Sequence, residues 1–265
     1  MDLSEKLAKL KPEGMAAEEW EGRLELAACY RLFDWLGWTE LIFNHITLRV
    51  PGPERHYLIN PYGLWYSEVT ASNLVKVNLA GEVMDGSKYP INAAGFVIHS
   101  AIHSARDDAH CVIHTHTNSG MAVSCKQGGL RHDNFYSAIL AGDVAYHDFE
   151  GPAIGMQSDE QVRLLKNIGD HGRCVVMRNH GGMTAGATVA EAFVWMYKLE
   201  SACRFQISGQ SGRSRLVRPG DDVIARSVEV GRKVYSRGGA AECGILEWPA
   251  LIRKLERERG TSYRT

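Results

Sequence analysis

The chain lacks any apolar run near the roughly 20 residues that a membrane-spanning helix requires. Its first residues, Met1-Asp-Leu-Ser-Glu-Lys, also lack the apolar stretch of a secretory signal, so a cytoplasmic protein is expected. Net charge is nearly absent, at −1, with Lys, Arg, Asp and Glu interspersed. That leaves no broad basic surface for nucleic acid and no polybasic patch for a membrane. The one basic concentration, Arg213, Arg215 and Arg218 and then Arg253 to Arg259, reads first as solvated surface and second as an interaction tail. Paired cysteines are missing as well. Cys29, Cys111, Cys125, Cys174, Cys203 and Cys243 form no CxxC, which argues against a disulfide framework or a Cys-rich zinc site. Cys111, Cys174 and Cys203 lie in apolar segments and read as buried reduced thiols. Repeats and low-complexity blocks are absent too.

What remains is 265 residues at 45% hydrophobic and 23% charged, enough for one large domain, or one domain plus a tail. Helical spacing of Trp20, Leu24, Ala27, Ala28, Leu32 and Trp35 predicts a helix over 18 to 37, ended by Gly37. "NHITLRV" and "HYLIN" flank a "PGPER" turn and read as a hairpin. Leu74, Val75, Val77 and Leu79 suggest another strand, turned by Gly81. A helix is predicted over 93 to 105, and strands at "CVIHTHT" and "CVVMRN". A long helix follows from about 189 to 206, with Thr188 and Glu191 at capping-box spacing. "SGQSGRSR" reads as a linker, and helices near 220 to 236 and 247 to 258 complete the chain. The domain is therefore placed at 1–208, with 209–265 a linker and helical tail packed on it or on a neighbouring subunit.

Eleven histidines are present, and three stand out. His114 and His116 are two apart, and residues i and i+2 of a strand share a face, so both imidazoles would point at one spot. Such a pair suits a divalent ion, although two histidines on a strand also occur without one. His180 lies at a strand end before two glycines, where backbone or ligand approaches closely. Three imidazoles would leave the open coordination position that catalytic sites need. His99 and His103 are four apart on a helix, but no Glu follows the first, so a zincin protease is not supported. His99 is read as a supporting or packing residue rather than a direct ligand.

Taken together, "IFNHITLR", "INPYGLWYSEVTASNLVKVNLAGEV", "GFVIHSAIHSARDDAHCVIHTHT", "VAYHDFEG" and "RNHGGMTAG…EAF" resemble the class II aldolase/adducin family. The nearest patterns are adducin's head domain and the bacterial proteins that look like it. The resemblance runs in order over about residues 20 to 207. It implies an α/β/α sandwich with a central, mainly antiparallel sheet, and a homotetramer with the site between neighbours. It also implies a divalent metal on His114, His116 and His180, zinc first and manganese or iron as alternatives.

Two departures limit what carries over. The family's sugar-phosphate aldolases place a Glu acid/base nineteen residues before the first His of the pair, and here that position is Gly95. Their phosphate-binding serines correspond to Ala93 and Ala94, while Asn44 and Gly63 still match the pocket. A sugar-phosphate aldolase is therefore disfavoured. Proton transfer would fall to water, Tyr146 or Glu68, each with a purely structural alternative: a Tyr on a packed strand, or a capping carboxylate. The expectation is a metal-dependent carbon–carbon lyase for a small non-phosphorylated oxo- or hydroxy-acid, with Asn44, Gly63, Gly95 and His99 lining its substrate pocket. The alternatives are a non-haem iron oxygenase and a non-catalytic adducin-like assembly domain. Actin binding is disfavoured, because no long lysine-rich extension is present.

Overall fold

A computed structural model describes residues 11–148, 151, 158–170 and 172–265. The opening residues read above for a signal, and the Phe-Glu pair of "VAYHDFEG", lie outside them. The first helix, α1 (Ala17–Leu36), ends as predicted on Gly37, whose φ of 70° is the left-handed conformation that closes a helix. The hairpin follows as β1 (His45–Arg49) and β2 (Tyr57–Ile59), then β3 (Val75–Val77). Helix α2 (Ala93–Ala105) starts where Asn92 accepts a hydrogen bond from the Gly95 N–H.

Beyond it lie β4 (Cys111–Thr115), α3 (Asn118–Ser124), α4 (Phe135–Leu140), β5 (Val144–His147), α5 (Ser158–Ile168), β6 (Cys174–Met177) and β7 (Gly181–Gly186). Helices α6 (Val189–Gln210), α7 (Asp221–Val234) and α8 (Glu247–Arg259) complete the described elements, with short 3-10 turns at Tyr66–Glu68 and Ser262–Arg264. The first part of the expected linker, up to Gln210, is helical and continues α6. Thr188 caps that helix at the Glu191 N–H, while Glu191 reaches back to the Ala187 N–H, one residue before the cap.

The seven strands form one sheet in the order β3-β2-β1-β4-β7-β6-β5, antiparallel throughout except for the β5–β6 pair. Alternation along the central strands decides the layers. Cys111 and Ile113 of β4, and Cys174 and Val176 of β6, point into a core built with α1, α6 and α8. Val112, Val175 and Met177 point the other way, against Ile98 and Ile102 of α2 and Leu164 and Ile168 of α5. Helices thus cover both faces, and the expected mainly antiparallel α/β/α sandwich is the fold. Trp248 and Leu255 of α8, and Tyr263 beyond it, are buried in the same core as α1 and α6. No described helix is long and apolar enough to cross a membrane.

The same alternation puts His45 and Thr47 of β1 and His114 of β4 on the α2 side, facing His99 and His103. His45 and His114 are direct partners across the β1–β4 ladder. The sheet thereby delivers one ring to the histidine cluster and a second ring beside it.

Candidate active site

His114 is the penultimate residue of β4 and almost completely buried, while His116 lies just past the strand, in the turn before α3. His180 lies in the turn from β6 to β7, preceded by Asn179 at φ 56°, a left-handed conformation uncommon outside glycine. Gly181 follows at φ 136°, and a Cβ there would collide with the Thr115 carbonyl oxygen. Only glycine lets β7 approach β4 so closely. The three rings converge: the centroid separations are 4.6 Å for His114–His116, 4.8 Å for His114–His180 and 4.9 Å for His116–His180. One ligand atom from each lies within 4.8 Å of the others.

Hydrogen bonding fixes the tautomers of two of them. His114 Nδ1 is 3.0 Å from the Gly182 carbonyl oxygen, which only accepts, so Nδ1 carries the proton. His116 Nδ1 donates to Glu40 Oε2 at 2.5 Å. His114 Nε2 is then a lone pair, and it faces His116 Nε2 across 2.8 Å. A hydrogen bond between them would require one ring to be charged. Burial opposes that at His114, whose pKa it pushes well below the ordinary value, with His116 and His180 adding to the shift. Burial also pushes His180 down, to about 4. A cation between the two nitrogens would take both as ligands, with His180 beside them, so the donor set fits a divalent ion. The Glu40–His116 pair is the carboxylate support that orients ligating histidines. Glu40→Gln is expected to weaken zinc binding by about 10- to 100-fold, read by competition with a chelating dye; unchanged affinity would count against the role.

Around the cluster, Gly95 opens α2, and the space beside it is filled. A Cβ at residue 95 would fall 2.6 Å from His45 Nδ1 and 2.7 Å from His45 Nε2. His45 is buried, with burial pushing its pKa down to about 4, and neither ring nitrogen has a hydrogen-bond partner. Asn44 is equally buried, and both its amide atoms lack partners. His99 is not one of the three clustered rings. Its Nδ1 bonds Thr47 Oγ1 at 2.8 Å, and Thr47 Oγ1 also bonds His103 Nε2 at 2.8 Å. Gly63 sits in an open turn at φ 107° with free space on its side-chain side.

The two candidate proton carriers each make contacts within the chain. Tyr146 accepts from the Leu130 N–H at 3.1 Å, and the Arg178 guanidinium lies 4.7 Å from its ring centre. Glu68 is exposed and accepts from the Trp65 N–H at 2.8 Å, closing its own 3-10 turn. Reading the sequence alone missed Glu40 and His45. The pattern "NHI" marks His45 as one more histidine, but nothing local ties it to Gly95. Glu200, whose carboxylate receives Thr117 Oγ1 at 2.5 Å, was missed for the same reason; it anchors the turn after His116.

The buried, neutral rings give this half of the molecule a pH dependence. Burial pushes His103 down to about 3 and His45 to about 4. Protons therefore prefer the unfolded chain, where imidazole titrates near 6.5. Their stability contribution is complete above about pH 6.5 and is lost as pH falls through 4 and then 3, by roughly 3 kcal/mol for one such ring. Urea midpoints should fall steadily between pH 7 and 4; a flat profile would contradict the assignment.

The comparisons with known proteins agree with this architecture. The family model described as "Class II Aldolase and Adducin N-terminal domain" matches residues 24–207. A "Putative aldolase class 2 protein" of Caulobacter vibrioides is 43% identical over 95% of this chain and 96% of its own length. Alpha-adducin of Mus musculus is 41% identical over 92% of this chain, which spans 34% of that protein. Among solved structures, an aldolase II superfamily protein from Pseudomonas syringae superposes with a TM-score of 0.88, at 44% identity and over 96% of this chain and 98% of its own. An L-fuculose 1-phosphate aldolase from Glaciozyma antarctica superposes at 0.78, with 28% identity over 98% of this chain and 99% of its own. With a family model across most of its length and relatives this similar end to end, the chain belongs to the class II aldolase/adducin family.

Proposed function

We propose that this protein is a divalent-metal-dependent carbon–carbon lyase acting on a small non-phosphorylated oxo- or hydroxy-acid, by decarboxylation or retro-aldol cleavage. The observation that carries this reading is the convergence of His114 Nε2 and His116 Nε2, 2.8 Å apart, beside His180. A divalent ion held by these three rings, zinc first and manganese or iron next, supplies Lewis acidity that stabilises charge developing on a substrate oxygen as the adjacent carbon–carbon bond breaks. Glu40 and the Gly182 carbonyl hold the His116 and His114 rings in the ligating tautomer.

The chain's other residues narrow the chemistry. Gly95 offers no acid/base, and Ala93 and Ala94 offer no hydroxyls to a phosphate. Glu68 closes its own 3-10 turn, while the Tyr146 hydroxyl accepts one N–H and keeps its proton, so water or a neighbouring subunit's Tyr146 would carry the proton. Decarboxylation needs charge stabilisation more than a strong base, which favours it over aldol cleavage. A homotetramer that brings neighbouring chains to the site is part of the proposal. The test is turnover of a panel of short 2-oxo- and 2-hydroxy-acids by zinc-, manganese- and iron-loaded protein, followed as released carbon dioxide or aldehyde. Metal-dependent turnover that disappears in His180→Ala supports the lyase. The adducin relationship gives the second reading, an assembly domain: co-sedimentation with actin filaments and no metal-dependent turnover would establish it instead.

A further inference from the structure

Beside the three-histidine cluster, three ring nitrogens lack any hydrogen-bond partner: both of His45 and Nε2 of His99. Both side chains are at least nine-tenths buried. Orphaned polar atoms are uncommon in folded proteins, and a ligand or ordered water ordinarily answers them. Three on two rings in contact mark a place built to receive a polar group.

The hydrogen-bond directions say which kind. The Ala109 carbonyl only accepts, so His103 Nδ1, 2.8 Å away, carries a proton. His103 Nε2 is then an acceptor and takes the Thr47 hydroxyl proton. Thr47 Oγ1 in turn accepts from His99 Nδ1–H, which leaves His99 Nε2 as a lone pair. The His45 ring lies against it, with centroids 4.2 Å apart, and 6.1 Å from the His114 ring. The groups acting electrostatically on His45 and His99 are other imidazoles.

We propose that His45 and His99 form a hydroxyl-binding subsite, in which the His45 imidazole takes the place of a side chain at position 95 and holds a substrate hydroxyl beside the His114–His116–His180 cluster. A hydroxyl both donates and accepts. It satisfies the His99 lone pair with its proton and takes an N–H from His45. A phosphate at neutral pH presents chiefly acceptors and would meet that lone pair with its own. This deepens the lyase reading and rests on it for the metal-bound acid end. The substrate class becomes an acid carrying a further free hydroxyl, rather than a phosphorylated one.

The matched probes are glycerate and lactate, which differ by one terminal hydroxyl. Binding of each to the cobalt-loaded protein is measured by calorimetry, for the natural sequence and for His45→Leu. Glycerate is expected to bind about 10-fold tighter than lactate, and His45→Leu to erase that preference with cobalt stoichiometry unchanged. Equal binding of the two acids, or a preference that survives His45→Leu, overturns the subsite while leaving the metal centre intact. Failure to take up cobalt overturns the lyase reading and the subsite with it.

A second measurement needs no ligand. Gly95→Ala, whose new methyl group meets the His45 ring, is expected to lower the Tm by about 5 °C. In the His45→Ala background, Gly95→Ala is expected to cost little of that, because the ring it meets is gone. Independent, additive effects of the two substitutions would show that His45 does not fill the position-95 space.

Discussion

Zinc supplied at about a thousand times its dissociation constant is expected to raise the unfolding free energy by about 4 kcal/mol, and His114→Ala/His116→Ala to abolish that gain. The gain arises because an ion bound to the native state and not to the unfolded one shifts folding by mass action. In a chain of this size it corresponds to a rise in Tm of about 10 °C. The double substitution removes both facing Nε2 atoms, leaving His180 alone among the three rings. The quantity to compare is the difference in Tm with and without zinc in each protein by calorimetry. That difference cancels the packing cost of truncating the buried His114. An equal zinc shift in the double variant would place the ion elsewhere.

Gly181→Ala is expected to cost about 4 kcal/mol and to weaken metal binding as well. Two penalties act together. At φ 136° a side chain strains the backbone by about 1–3 kcal/mol, and its Cβ drives into the Thr115 carbonyl oxygen, an overpacking cost of about 1–3 kcal/mol. Relieving the collision means moving β7 away from β4, where Gly182 pairs with Thr115 and its carbonyl orients His114. The disturbance therefore reaches two ligating positions at once. Gly52→Ala is the control, because Gly52 has a similar φ of 128° with nothing within 4 Å of a new Cβ. It is expected to lose only the backbone part and to leave zinc affinity unchanged. Urea midpoints and zinc titrations of the two variants separate strain from collision. Equal losses in both would mean that the close approach at Thr115 does not matter.

Much of this arrangement was legible in the chain, for reasons particular residues make plain. The helix over 93 to 105 is bounded by an Asn cap and filled by Phe96, Ile98, Ala101 and Ile102, so periodicity alone located it. The β1–β2 hairpin announced itself through β-branched residues on either side of a Pro-Gly turn. Strand β7, "GGMTAG", did not: glycine and alanine carry no strand signal, and the segment is a strand only because β4 and β6 both pair with it. Helices α3 and α4 are too short to show a period; side-chain caps from Thr117 and Asn134 hold their first turns.

The site divides the same way. The i, i+2 spacing of His114 and His116 correctly suggested two rings aimed at one spot, although His116 reaches it from the turn beyond the strand rather than from the ladder. Glu40 and His45 lie about seventy residues before the rings they serve. Their roles follow from the β1–β4 pairing, which no local pattern encodes. Gly95 read as a loss in the sequence. In the structure its missing side chain is the space that His45 occupies.

The central claim is three imidazoles around one ion, and X-ray absorption at the zinc edge of the zinc-loaded protein tests it most directly. The expected result is about one zinc per chain with three nitrogen scatterers at about 2.0–2.1 Å, completed by oxygen. Sulfur in the shell, fewer than three imidazoles, or no bound ion after loading would contradict it.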